Sequence, residues 1–190
     1  KIASQEINHI PLIKKVAKTK KPVILSTGVS KIEDIKLAVQ TLRNNGNEKI
    51  IILKCTSSYP SKLKELNLLT LQDLRKRFKI ISGFSDHTIG SLAALASVAL
   101  GANLVEKHFN LKNNQSVDDF FSMNHEDFRK MVKKIRNLEI AMGKIDYKLS
   151  KESAKHFIGR RSIYISKTLN KGDAITKKNI KVIRPNFGLH

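Results

Sequence analysis

A short apolar run that ends in small or polar residues, followed by an amphipathic segment, recurs along this chain. That repeat restricts the fold more than any other feature. The runs are Lys1-Ile2-Ala3-Ser4, Val23-Ile24-Leu25 ending at Ser26-Thr27-Gly28, and Ile50-Ile51-Ile52-Leu53 ending at Cys55-Thr56-Ser57-Ser58. Ile80-Ile81 then ends at Ser82-Gly83-Phe84-Ser85-Asp86-His87, and Leu104-Val105 at Glu106-Lys107-His108-Phe109. Near-continuous apolar runs suit parallel strands buried on both faces. The segments between them read as helices. Ser30-x-x-Glu33 predicts a capping box, and Ile32, Ile35, Val39 and Leu42 form one apolar face before Asn44-Asn45-Gly46 stops the helix. Leu92 to Leu100 reads as a buried helix closed by Gly101. Asn124 to Gly143 carries Phe128, Met131, Val132, Ile135, Leu138 and Met142 at helical spacing, a core face.

Strand and helix alternate at a spacing of roughly 25–30 residues, the signature of a parallel α/β sheet. A doubly wound sheet carries a glycine-rich first turn, but Gly28 and Gly90 stand isolated here. Polar and ionisable residues gather instead at the C-terminal end of every strand, where a (β/α)8 TIM barrel builds its site. Five strands do not close such a barrel. Together with an opening that lacks Met, this predicts the C-terminal half of a barrel, incomplete at both ends and with little activity by itself. Past Gly143 the texture changes. Residues 144–158 are polar and basic without a period and read as a linker between a barrel portion, 1–143, and the start of a second small domain, 159–190. In that last part Arg160 to Ile165 alternates like a strand, Asn170-Lys171-Gly172-Asp173 signals a turn, and Thr176 to Ile183 begins a further element.

Composition narrows the function classes. No apolar run is long enough for a membrane span, and the N-terminus has no signal-peptide pattern. The single cysteine, Cys55, excludes an internal disulfide framework and suits a reducing cytoplasm. The formal charge of +20, from 36 Lys and Arg against 16 Asp and Glu, raises nucleic-acid binding as an alternative. The basic residues are scattered, however, and no basic stretch interleaves with base-stacking aromatics. A solvated basic surface, or an anionic small ligand such as phosphate, accounts for the charge.

His87 and His108 end successive strands, and neighbouring strands lie about 4.8 Å apart. Two imidazoles so placed can meet at one divalent metal, with oxygen ligands completing the shell. His9, His125, His156 and His190 read as surface or capping residues. Glu6, Asp86, Glu106, Asp118 and Asp119 are the accompanying carboxylates, able to ligate metal, hold a substrate hydroxyl or move a proton. Alternation puts Glu106 and His108 on one face and Lys107 on the other. Spacing does not rank Asp118 against Asp119. Ser4, Ser26-Thr27, Thr56-Ser57-Ser58 and Ser85 ring the same strand ends, and with Lys1 or Lys54 they could cradle a phosphate. Lys54 also leaves open a Schiff-base aldolase.

The motifs KIAS-x-E, PVILSTG, CTSSYP, GFSDHT-x-G and EKHF, in this order, resemble the sialic-acid (nonulosonic acid) synthase family across nearly the whole chain. The resemblance implies a TIM barrel followed by a small antifreeze-like (SAF) domain. It also implies condensation of phosphoenolpyruvate with an amino sugar. His87 and His108 match metal ligands, usually for Mn2+, with Mg2+ or Co2+ as alternatives. Lys1, Ser4, Ser57 and Ser85 match positions that cradle phosphoenolpyruvate. Glu6, Tyr59 and a loop aspartate, Asp118, match sugar contacts. Arg184 of the RP-x-x-G stretch matches an arginine that the antifreeze-like domain delivers to the partner subunit, which implies a domain-swapped homodimer. The stretch Ser116-Val117-Asp118-Asp119-Phe120-Phe121-Ser122 resembles the pseudaminic branch of the family. The implied sugar is then an open-chain 2,4-diacetamido-2,4,6-trideoxy hexose, with sialic or legionaminic precursors as alternatives. Phe120 and Phe121 would offer its deoxy carbon an apolar wall.

Overall fold

The computed structural model describes residues 1–111 and 116–189. Lys1–Gly143 and Lys144–His190 form two compact units. In the first unit β1 (Val23–Ser26), β2 (Ile50–Cys55), β3 (Ile81–Asp86) and β4 (Val105–Lys107) lie side by side in that order. Every pairing is parallel, and the sheet curls as half of a barrel. Between the strands run α2 (Ile32–Asn44), α3 (Thr70–Phe78) and α4 (Leu92–Ala99); α1 (Ile10–Lys18) precedes β1 and α5 (His125–Met142) follows β4.

The sequence runs become strands because their alternate residues face two apolar layers. Val23, Leu25, Ile50 and Ile52 pack against Ile13, Ile35, Val39, Leu42 and Leu74 of the flanking helices, nearly all fully buried. Each such side chain contributes about 1.5–3 kcal/mol on burial. Further along, Phe84 packs on Leu71 and Ala93, and Met131 of α5 packs on Ala94 and Met123. The ends of α5 are those the sequence indicates: the Asn124 carboxamide oxygen accepts the Asp127 N–H, and Gly143 follows the last turn.

Two expectations need correction. The first run, Lys1 to Ser4, makes only one bridge, Ile2 to Leu25, and then turns into a 3-10 segment at Ser4–Glu6, so among the described residues the parallel sheet has four strands rather than five. The cap of α2 sits one residue later than Ser30: the Lys31 N–H donates to Asp34 Oδ2 at 2.8 Å. With Lys31 at the cap, the residue three positions on is Asp34 rather than Glu33, and the Ser30 hydroxyl makes no cap bond among the described residues. Within residues 144–158 lies α6 (Lys151–Lys155), with the Ser153 N–H donating to Ser150 Oγ at 3.0 Å. Five residues with no buried face leave no periodicity to read.

In the second unit β5 (Ser162–Ile165) and β6 (Ile180–Ile183) pair antiparallel. The Tyr164 hydroxyl donates to the Pro185 carbonyl at 2.6 Å, which braces the Arg-Pro-Asn-Phe-Gly turn. A Cβ at Gly188 would stand 2.4 Å from the Ile163 carbonyl oxygen, so only glycine fits there. Among the described residues no helix is long and apolar enough to cross a membrane. His190 lies outside the described residues.

Candidate active site

Strand register assembles the site. Cys55 is the register partner of Ser85, and Ser85 of Glu106, so three inward-facing side chains stand in one row across β2, β3 and β4. One step beyond the strands come His87 and His108. These residues, with Lys1, Ser4, Ser26 and Tyr59, line a cleft of about 180 Å3 at the C-terminal ends of the strands. A larger hollow of about 720 Å3 opens at the opposite ends, lined by Pro22, Ile51, Ile81 and Asn103. It holds none of the strand-end histidines or hydroxyls, so we place the chemistry in the smaller cleft.

The two imidazoles lie with ring centroids 5.2 Å apart. His87 is buried, and its Nδ1 is 3.0 Å from the Thr56 carbonyl oxygen, so Nδ1–H donates and Nε2 is left as an acceptor. His108 Nδ1 lies 3.4 Å from Asp118 Oδ2, which likewise frees its Nε2. This is the arrangement by which outer partners orient a ligating histidine. Burial and the neighbouring His87 hold His108 below the ordinary imidazole value, which favours the neutral, ligating form. With His87 also deprotonated, as ligation requires, the pair would offer a divalent cation two imidazole nitrogens. Among the described residues no group of three or more His, Cys, Asp or Glu side chains converges, so water or substrate oxygens would complete the shell.

Beside the histidines lies a polar network. Lys1 Nζ donates to Glu106 Oε2 at 2.7 Å, and Ser85 Oγ donates to Glu106 Oε1 at 2.8 Å. Burial pushes the Glu106 carboxyl up, but the hydrogen bonds from Lys1 and Ser85 outweigh it and hold the group below its ordinary value. The Gly28 N–H donates to Ser4 Oγ at 2.8 Å. A Cβ at Gly28 would fall 2.1 Å from Ser57 Oγ and 2.9 Å from both Ser4 Oγ and Cys55 Sγ. Glycine is therefore what lets these three side chains converge. Ser26 Oγ, in a residue only 2% exposed, has no hydrogen-bond partner among the described residues, an unspent donor in the wall of the cleft.

The structure separates the other candidates. Tyr59 stacks on His87 at 4.3 Å between centroids and approaches His108 and Phe121 at 5.9 and 5.8 Å. Phe121 is buried against His108, whereas Phe120 is exposed. Asp118 reaches His108, while Asp119 braces the loop through Asn110 Nδ2 at 3.1 Å and the Ser116 N–H at 3.0 Å. Glu6 does not line the cleft; its carboxylate lies 3.6 Å from His9 Nδ1 on the surface. Arg184 is exposed on the turn of the second unit. Asp86 points away from the histidines to Lys107. Lys54 also faces the helical layer, donating to the Cys55 carbonyl at 2.7 Å and to Thr56 Oγ1 at 3.2 Å, so it offers the cleft no Schiff-base amine.

Sequence reasoning passed over two site residues, Cys55 and Gly28. The Cys55 Sγ stands 3.9 Å from His87 Nδ1 and from Ser57 Oγ. Burial would raise this thiol, but the hydrogen bonds from His87 and Ser4 bring it down to about 7. The His87 imidazole, which burial alone would lower, is held above its ordinary value by Cys55 and the Thr56 carbonyl. The signal in the sequence was the placement of both residues at strand ends, and only the register shows that they meet.

The profile of the NeuB family matches residues 1–147. The chain belongs to the NeuB family. Over its whole length this NeuB-family chain is 42% identical to pseudaminic acid synthase of Helicobacter pylori, of which it covers 56%. It is 39% identical to N,N'-diacetyllegionaminic acid synthase of Campylobacter jejuni, again over the whole chain and 58% of that protein. Among solved structures, N-acetylneuraminic acid synthetase of Leptospira borgpetersenii superposes with a TM-score of 0.74 at 28% identity, covering 80% of this chain and 54% of the other. The chain thus spans little more than half the length of these relatives.

Proposed function

We propose that the protein containing this chain condenses phosphoenolpyruvate with an open-chain 2,4-diacetamido-2,4,6-trideoxy hexose to give a nonulosonic acid and phosphate. The observation that supports the reading is the meeting of His87 and His108 beside the Lys1–Glu106–Ser85 network in one strand-end cleft. Lys1 and Ser26 supply an ammonium and a hydroxyl donor for an anionic phosphate or carboxylate, and the Ser4, Ser57 and Ser85 hydroxyls would turn from Cys55 and Glu106 to join them. Glu106 aims the Lys1 ammonium, which keeps protons to spare, and holds the Ser85 side chain at the cleft wall. His87 and His108 would hold a divalent ion, Mn2+ by resemblance, which supplies Lewis-acid polarisation of the sugar aldehyde. Tyr59 lies against both imidazoles and Asp118 reaches His108, and the sugar would lie on this side. The methylene carbon of phosphoenolpyruvate forms a bond to the aldehyde carbon, water adds at the former enol carbon, and the C–O bond to phosphate breaks. Fixed donors at the developing oxyanion lower the barrier.

Phe121 packs behind His108 and Tyr59 and does not itself line the cleft, so the deoxy sugar rests on the resemblance of the 116–122 stretch to the pseudaminic branch. Residues 159–190 are read as the beginning of an antifreeze-like domain whose Arg184 serves a partner subunit in a swapped dimer. The reaction is tested by following phosphate release from phosphoenolpyruvate by the full-length protein. Release that requires both amino sugar and divalent metal is expected. Release without sugar, or release unchanged by chelation, would overturn the reading.

A further inference from the structure

We propose that the buried Asp86–Lys107 ion pair positions the two imidazoles, setting the spacing of His87 and His108 from the far side of the sheet; this rests on the reading of those histidines as metal ligands. Asp86 and Lys107 are register partners on the last rung between β3 and β4. Their charged atoms are 2.8 Å apart, and the side chains are 0% and 1% exposed. Each charge has a second partner in the same residue. The Thr88 N–H donates to Asp86 Oδ1 at 2.8 Å, and Lys107 Nζ donates to the Thr88 carbonyl at 2.6 Å.

The network therefore grips the chain neighbours of His87 on both sides and the residue that immediately precedes His108. Side chains alternate across a strand, so the pair lies in the helical layer and does not line the cleft. A buried ion pair adds little net stability, and an apolar pair of similar volume often serves the core equally well. What an apolar pair lacks is the directional hydrogen bonding that fixes both the N–H and the carbonyl of Thr88 and ties them to β4. The device is thus suited to holding two strand ends in one relative position. Asp86 and Lys107 act through the histidines and touch no reacting group.

The test uses the full-length protein, with Mn2+ alone as the probe and free Mn2+ read by electron paramagnetic resonance. Wild type is compared with Asp86→Leu/Lys107→Met, Asp86→Asn and, as reference, His87→Ala. The double variant is expected to melt, metal-free, at or above the wild-type temperature while its Mn2+ affinity falls on the order of 10–100-fold, as for other outer-shell partners. Asp86→Asn, which keeps the shape and the acceptor for Thr88, is expected to lose affinity in the same direction even where the double variant fails to fold. Wild-type Mn2+ affinity in either variant, with affinity lost in His87→Ala, would overturn this inference and leave the ligand reading standing. A lowered melting temperature with unchanged affinity would overturn it too. Wild-type Mn2+ affinity in His87→Ala would overturn the ligand reading and this inference with it.

Discussion

Lys1 Nζ and Glu106 Oε2 stand 2.7 Å apart, joining the two ends of the strand-end row that the fold brings together. Ser85 donates to the same carboxylate, so one acidic group fixes two cleft side chains. Its folded pKa is depressed, because Lys1 and Ser85 outweigh the burial that raises it. The stability it adds is thus present above the ordinary glutamate value and is lost as pH falls through the depressed one. Glu106→Gln is expected to lower the melting temperature at neutral pH and to match wild type once pH drops below the carboxylate range. Melting curves across that range check the sign. A gap that widens toward acid would contradict it.

Ser26 and Gly28 make opposite claims on stability and binding. Removing an unpartnered buried hydroxyl relieves a polar group of its desolvation cost. Ser26→Ala should leave the melting temperature unchanged or slightly raised, yet raise the KM for phosphoenolpyruvate about tenfold, the worth of one hydrogen bond to a charged group. Gly28→Ala forces Ser57 and Ser4 apart. It should cost about 1–3 kcal/mol in stability, as overpacking does, and raise the same KM. Melting temperature and KM measured together separate the two. A Ser26→Ala protein that loses stability with KM intact would mean that the hydroxyl serves the fold.

Cys55 gives a direct reading of the site's electrostatics. It is the sole cysteine of these 190 residues, so the change in thiolate absorbance near 240 nm between the protein and its Cys55→Ser variant reports it alone. In metal-free protein the titration midpoint should fall near 7. In His87→Ala, burial is left opposed by fewer hydrogen bonds, and the midpoint should rise. An unshifted midpoint would show that His87 does not stabilise the thiolate.

Much of the fold was legible in the sequence because continuous apolar runs and helical spacing report burial directly. The runs beginning at Val23, Ile50 and Ile80 become β1 to β3, and the Asn124–Gly143 boundaries of α5 are those of its caps. The pairing of His87 with His108 was legible for the same reason, since both lie one residue past strands that neighbour each other. What was not legible depends on register and loop path. Lys1 to Ser4 reads as a strand by composition, but only Ile2 meets β1. Asp86 reads as a site carboxylate by adjacency, but alternation turns it to Lys107. Asp118 and Asp119 are indistinguishable in sequence, and the loop's own hydrogen bonds to Asn110 and Ser116 decide between them. Cys55 and Gly28 enter the site only because β1, β2 and the Ser4 turn converge.

The central claim is that this cleft joins phosphoenolpyruvate to a deoxy diacetamido sugar. The most direct measurement is phosphate release by the full-length protein with Mn2+, offering the 2,4-diacetamido-2,4,6-trideoxy hexose precursor of pseudaminic acid and N-acetylmannosamine separately. The account predicts release with the first sugar and none with the second. Release with N-acetylmannosamine, or with neither sugar, would contradict it.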